Sequence, residues 1–189
     1  MELTESYTLP ISQQRTWEAL NDTAVLRASI PGCESIEADG ENAFALSMSA
    51  SVGPVKARFK GRMLLTDIDA PQTYTIVFEG QGGVAGFGKG SARVVLESEG
   101  AEATKLTYTA SAQVGGKLAQ IGSRLVDGAA RKLAGEFFKR FIAQVSGDGD
   151  AAAETAAAAD TASNDDADAA SGDDQTKRKK SWTAWISKS

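Results

Sequence analysis

Between Cys33 and Val114 the apolar residues recur at every second position, and from Leu118 onward they recur at every third and fourth. A single switch of period of this kind dictates a run of strands followed by one helix. The helical stretch, Gly116 to about Val145, places Leu118, Ile121, Leu125, Ala129, Leu133, Phe137 and Phe141 on one side. About thirty helical residues span roughly 45 Å, long for a chain of this size. The stretch is also rich in small residues, among them Gly122, Gly128, Ala129 and Gly135. Each interior glycine costs about 1 kcal/mol against alanine. The pattern therefore implies either close packing of the helix on a sheet or room left for a ligand between them.

Ahead of these segments, Leu3, Glu5, Tyr7 and Leu9 alternate with Thr4, Ser6 and Thr8 as a half-buried strand. Pro10 ends it, and Ser12 is the expected cap of a short helix from Gln13 to Leu20. Asp22 or Thr23 caps a second helix whose apolar side is Val25, Leu26 and Ile30, and Pro31-Gly32 stops it. About six strands follow, with turns at Asp39-Gly40, Gly53-Pro54, Ala70-Pro71 and Glu99-Gly100. In one strand Phe44, Leu46, Met48, Ala50 and Val52 share a face. In the next, Val55, Ala57, Phe59, Gly61 and Met63 alternate with Lys56, Arg58, Lys60 and Arg62. This order predicts an α+β domain in which one curved antiparallel sheet wraps the terminal helix.

Charge divides the chain further. Residues 1–147 hold 15 Lys/Arg and 16 Asp/Glu, residues 148–176 nine acids and no base, and the last thirteen residues five bases and no acid. The expected organisation is a folded domain over 1–146, a disordered acidic Ala/Asp-rich linker over 147–176 and a basic, Trp-bearing segment over 177–189. No run of eighteen apolar residues suits a membrane span, and the acidic start, Met1-Glu2-Leu3-Thr4-Glu5, does not read as a signal peptide. Histidine is absent, which removes the usual residue of zinc sites and of His acid–base schemes. The single cysteine, Cys33, excludes an internal disulfide. We expect no metal site and no catalytic residue.

Gly82 to Ser91 imitates a phosphate-binding loop, but Gly90 stands at the Ser/Thr position and a strand pattern follows where a helix is required. Its glycines read instead as a hairpin or bulge at a cavity mouth, with Phe87 at the tip. The bases Lys56, Arg58, Lys60 and Arg62 form either a solvated outer face paired with neighbouring acids or a docking surface for an acidic protein. No aromatic residue interleaves with them, so nucleic-acid binding is not expected. Tyr7, Tyr74, Tyr108, Glu18 and Asp127 come without a base or an orienting group. At the C-terminal end Lys177, Arg178, Lys179 and Lys180 precede Trp182, Trp185 and Ile186 at helical spacing. Bases with tryptophans suit an anionic membrane surface, the alternative being a basic tail that reads a protein groove.

Three motifs together carry a resemblance: Asp22…Leu26…Ile30-Pro31-Gly32-Cys33, then Val52-Gly53-Pro54-Val55-Lys56-Ala57-Arg58-Phe59-Lys60-Gly61, then Gly86-Phe87-Gly88-Lys89-Gly90. Over about residues 1–146 the chain resembles the CoxG family of carbon monoxide dehydrogenase accessory proteins, within the START/Bet v 1-like (SRPBCC) superfamily. The resemblance implies a helix-grip fold around an apolar cavity. It also implies a non-catalytic accessory protein that links a molybdenum hydroxylase to the cytoplasmic face of the inner membrane and its quinones. On that expectation an apolar small molecule, menaquinone or ubiquinone, is held without covalent attachment. The expected lining is Phe44, Met48, Phe59, Met63, Phe78, Phe87, Tyr108, Gly122, Leu125 and Ala129, with the basic stripe facing the hydroxylase. The rival expectations are a small-molecule enzyme of the same superfamily and a ligand-free membrane adaptor.

Overall fold

The computed structural model describes residues 1–156, with side chains described for residues 1–147. Strand β1 (Glu2–Leu9) is followed by helices α1 (Gln13–Leu20) and α2 (Thr23–Ser29). Then come β2 (Cys33–Ala38), β3 (Ala43–Val52), β4 (Val55–Asp69), β5 (Thr73–Gln81), β6 (Phe87–Ser98) and β7 (Thr104–Gly115). A short helix α3 (Lys117–Gln120) and the long α4 (Ser123–Ala156) close the order. The strands form one antiparallel sheet in the order β1-β7-β6-β5-β4-β3-β2. β2 to β7 are therefore a meander of hairpins, and β1 crosses from the far side to pair with β7.

The local signals act where the sequence places them. The Ser12 hydroxyl accepts from the Arg15 amide at 3.4 Å and caps α1. Asp22, rather than Thr23, caps α2, its Oδ1 accepting from the amides of Ala24 and Val25 at 2.7 and 3.2 Å. Gly32, at φ +71°, ends the turn after α2. A Cβ there would lie 2.0 Å from the Ser49 carbonyl oxygen, so the close approach of this turn to β3 admits only glycine. The two-residue turn Gly53-Pro54 joins β3 to β4 in register from Val52↔Val55 to Ala43↔Leu64.

The terminal helix departs from expectation at both ends and in its rotation. It does not run unbroken from Gly116: Ile121 and Gly122 interrupt it, with Gly122 at φ +93°. It continues past Val145 to Ala156, where Ala151–Ala153 favour helix. Its buried side chains are Val126, Phe138, Phe141 and Val145, while Leu125 is 50% exposed. Steps of four residues drift by about 40° each on an α-helix, so the stripe that Leu133, Phe137 and Phe141 hold inward passes through Val126 and not Leu125. Phe141 is fully buried among Leu9, Leu96 and Leu106, a burial worth roughly 1.5–3 kcal/mol. Phe138 stacks on Tyr7 with ring centres 4.0 Å apart, and Phe137 meets Phe138 edge-on at 5.0 Å. A Cβ added at Gly122, Gly128 or Gly135 would meet nothing within 4 Å, so these glycines do not serve close packing on the sheet.

Candidate functional site: an apolar cavity between helix and sheet

The sheet and the middle turns of α4 pack tightly through Phe138, Phe141 and Val145. One or two turns earlier the helix presents Leu133, Ala134 and Phe137 to a cavity of about 330 Å³. Strand residues Met63, Leu65, Ile76 and Ala92 form its floor, and Leu26, Ile30 and Pro31 close it from α2 and the following turn. Leu20, Leu26, Tyr74, Val94, Leu106 and Tyr108 in its wall are each no more than 8% exposed. A second hollow of about 230 Å³ adjoins it, with Phe59, Phe78 and Leu118 in its wall. Met48 and Met63 border both spaces, and methionine is the side chain best able to repack between them. A larger depression of about 570 Å³ on the outer sheet face is lined by Leu64 and Val77, which are 41% and 44% exposed. It is a surface feature, not an interior one.

The lining expected from sequence falls in several places. Phe44, Met48, Met63 and Tyr108 lie in the wall of the main cavity. Phe59 and Phe78 line the adjoining hollow. Leu125 and Ala129 instead face an outer groove of about 520 Å³ beside Ser51 and Gly53, because of the helix rotation described above. That groove shares Leu133 with the cavity. Gly122 sits in the break between α3 and α4 and reaches neither space. Phe87 is not at a loop tip: it opens β6 opposite Gly115, which its ring covers so closely that a Cβ there would lie 2.2 Å from the ring. Sequence reading missed Tyr74, Ala92, Ala134 and Phe138 as lining. Tyr74 and Ala92 had the alternation that marks inward residues, but no feature of their own strands marks a cavity.

Polar groups are few at this site. The Tyr108 hydroxyl donates to Glu5 Oε2 at 3.0 Å, and the Tyr7 hydroxyl donates to the same oxygen at 2.7 Å. Burial, with Glu5 adding to it, pushes the Tyr7 phenol up to about 12. Burial raises the Tyr74 and Tyr108 phenols as well, and Glu5 adds to the shift at Tyr108. All three are protonated hydroxyls at neutral pH, suited to donating hydrogen bonds and not to proton abstraction. Burial likewise raises the Cys33 thiol and keeps it a poor nucleophile. Among the described residues no three His, Cys, Asp or Glu side chains group as metal ligands.

The matched segment decides the family. Residues 6–146 match CoxG, the family of the carbon monoxide dehydrogenase G subunit. The chain belongs to that family. Membership in CoxG implies an accessory role at a carbon monoxide dehydrogenase. A conserved protein from Geobacillus kaustophilus has a similar crystal structure: 33% identity, TM-score 0.73, over 77% of this chain and 95% of that one. A START superfamily protein from Mycobacterium smegmatis aligns at 13% identity and TM-score 0.59, over 77% of this chain and 97% of its own. The ZhuI aromatase/cyclase from a Streptomyces species aligns at 12% identity and TM-score 0.59, over 77% and 93% of the two chains. These last two likenesses establish the START-like fold of this CoxG chain and nothing of its chemistry. No curated protein matches it.

The basic stripe of this CoxG protein lies along the outer face of β4, each of its four bases exposed. Arg58 pairs with Glu34 at 2.8 Å and Arg62 with Asp39 at 2.9 Å. The Ser49 hydroxyl and then Arg58 hold the Glu34 carboxyl below its ordinary range. Lys56 and Lys60 form no ion pair among the described residues. Half the stripe is thus matched to neighbouring acids and half is free. Lys177, Arg178, Lys179, Lys180, Trp182, Trp185 and Ile186 lie outside the described residues. Among those described, no helix is long and apolar enough to cross a membrane.

Proposed function

We propose that this CoxG protein holds a quinone in the cavity between α4 and the sheet and brings it, at the cytoplasmic membrane surface, to a carbon monoxide dehydrogenase-type molybdenum hydroxylase. The observation that carries the reading is the interior cavity of about 330 Å³ with an almost wholly apolar wall. Apolar pockets with one or two placed polar groups are the usual form of small-molecule sites. A quinone ring fits that description, and the adjoining hollow behind Met48 and Met63 offers its prenyl chain a continuation. Menaquinone and ubiquinone both have this form.

Two further elements belong to the proposal. Lys56 and Lys60, which form no ion pair among the described residues, offer a positive face to an acidic surface of the hydroxylase. The C-terminal bases and tryptophans supply peripheral membrane contact: roughly 1 kcal/mol per base at an anionic surface, with tryptophan at the headgroup level. The intervening acidic residues are repelled by the same surface. Extraction of the purified protein with organic solvent, followed by mass spectrometry of the extract, tests the central claim. A stoichiometric prenyl quinone supports it. An extract free of lipid, from protein expressed in a quinone-containing host, supports a ligand-free adaptor instead.

A further inference from the structure

Four inward residues stand in one row across adjacent strands. Tyr74 on β5 pairs with Val94 on β6, Val94 with Tyr108 on β7, and Tyr108 with Glu5 on β1. Neighbouring strands lie about 4.8 Å apart, so the backbones of Tyr74 and Tyr108 are roughly 10 Å apart. Both rings line the cavity. Their hydroxyls are in different states. That of Tyr108 is fixed by Glu5 at 3.0 Å, whose carboxylate also holds Tyr7. That of Tyr74 makes no hydrogen bond among the described residues, although the residue is only 3% exposed. It is also not one of the fully enclosed unpaired side-chain atoms of the described residues, which belong to Thr16, Ser29 and Asp127. The hydroxyl oxygen is therefore not fully enclosed, and the Tyr74 side chain lines the cavity.

A donor left unpaired in an apolar wall is destabilising, and a ligand that supplies an acceptor recovers the loss. The wall offers one such hydroxyl, that of Tyr74; the single hydroxyl hydrogen of Tyr108, two strands away on the same row, is already donated to Glu5. We propose that Tyr74 reads the oxygenated ring of an otherwise apolar ligand by donating to one ring oxygen, while Tyr108, its hydroxyl hydrogen donated to Glu5, contributes only its ring to the wall. The inference rests on the apolar-ligand reading above and narrows it. A planar ring bearing a carbonyl oxygen satisfies Tyr74, whereas a hydrocarbon leaves it unpaired.

The test uses the full chain and two probes, menadione and methylnaphthalene, which share a carbon skeleton and differ in the two ring oxygens. Their affinities are measured by calorimetry for the wild type, Tyr74→Phe and Tyr108→Phe. Each substitution keeps the ring and removes one hydroxyl. The expected result is a loss of menadione affinity of about fivefold in Tyr74→Phe and none in Tyr108→Phe, whose hydroxyl is held by Glu5, with methylnaphthalene affinity unchanged in both. The unchanged hydrocarbon shows that the cavity is intact. If the ratio of the two affinities is the same in Tyr74→Phe as in the wild type, Tyr74 does not read oxygen and the proposal fails, while the apolar cavity reading stands. If both probes weaken together in Tyr74→Phe, that tyrosine acts only in packing, and the proposal fails equally. If neither probe binds the wild type, the cavity reading falls and the role of Tyr74 with it.

Discussion

Replacing Ala92 with leucine puts three more carbon atoms into the cavity from the middle of β6. Ala92 faces inward between Ile76 and Ala110 on the flanking strands and lines the cavity. At about 0.8 kcal/mol per buried methylene, three carbons contribute about 2.4 kcal/mol at most. Ordering the leucine side chain removes about 0.5–1 kcal/mol of this. The net expectation is a ligand-free protein more stable by about 1.5 kcal/mol. With a urea m-value of about 1–3 kcal/mol/M, the unfolding midpoint rises by about 0.5–1.5 M. The same side chain competes with ligand for space, so menadione affinity should fall by at least about tenfold, the equivalent of 1.4 kcal/mol. Stability and binding then move in opposite directions, which a mere packing defect would not produce. Destabilisation by about 1–3 kcal/mol, the ordinary cost of overpacking, would show that the space is not available. A stabilised variant with undiminished menadione affinity would place the ligand elsewhere.

Three other outcomes follow from the charges and the phenols. Lys56→Glu with Lys60→Glu leaves the Arg58–Glu34 and Arg62–Asp39 pairs in place. It should weaken capture of the hydroxylase by roughly tenfold at low salt and less at high salt, and undiminished capture would remove the stripe from the interface. Truncation after Gln175 should abolish cosedimentation with anionic vesicles. Equal binding by the truncated and full chains would show that the tail is not the anchor. The raised Tyr7 pKa means that the native state keeps a proton the unfolded chain gives up. Its stabilisation is complete below the ordinary value of 10.0 and is lost as pH climbs from there through about 12. Urea midpoints should fall over that alkaline interval, and Tyr7→Phe should fall less steeply.

The strands were legible because their signal is strictly local. Lys56, Arg58, Lys60 and Arg62 alternate with apolar residues whatever the sheet does elsewhere, and Ser12 marks its helix within four positions. The rotation of α4 was not legible, for a definite reason. Spacings of three and four are satisfied by Leu118, Ile121 and Leu125 as a continuous helix, but repeated steps of four drift by about 40° each, so the stripe that Leu133, Phe137 and Phe141 hold inward passes through Val126 instead. Leu125 and Ala129 therefore face the outer groove, while Leu133 and Phe137 of the same expected stripe line the cavity. Phe87 escapes a sequence reading because its flanking glycines suggest a loop. Its actual place is set by Gly115, a residue far along the chain and opposite it in the sheet. The polar row has the same character: Tyr74, Tyr108 and Glu5 become neighbours only through strand pairing, which no single segment encodes.

The pairing of β1 with β7 also sets an order of events. Glu2↔Ser111 through Leu9↔Thr104 join the first strand to the last, with Thr4 and Thr109 105 positions apart. During synthesis the eight residues of β1 emerge first and wait until β7 has been made, while β2 to β7 grow by adjacent hairpins. Loop closure on that scale is entropically costly and slow compared with hairpin growth. Before it happens, Glu5 cannot reach Tyr108, and Phe138 lacks the Tyr7 ring on which it stacks. A nascent chain of this kind exposes an unfinished apolar trough, rimmed by the free edge of β7, for the whole of that interval. The step most open to chaperone capture, or to adventitious lipid uptake, is therefore the arrival of the first strand.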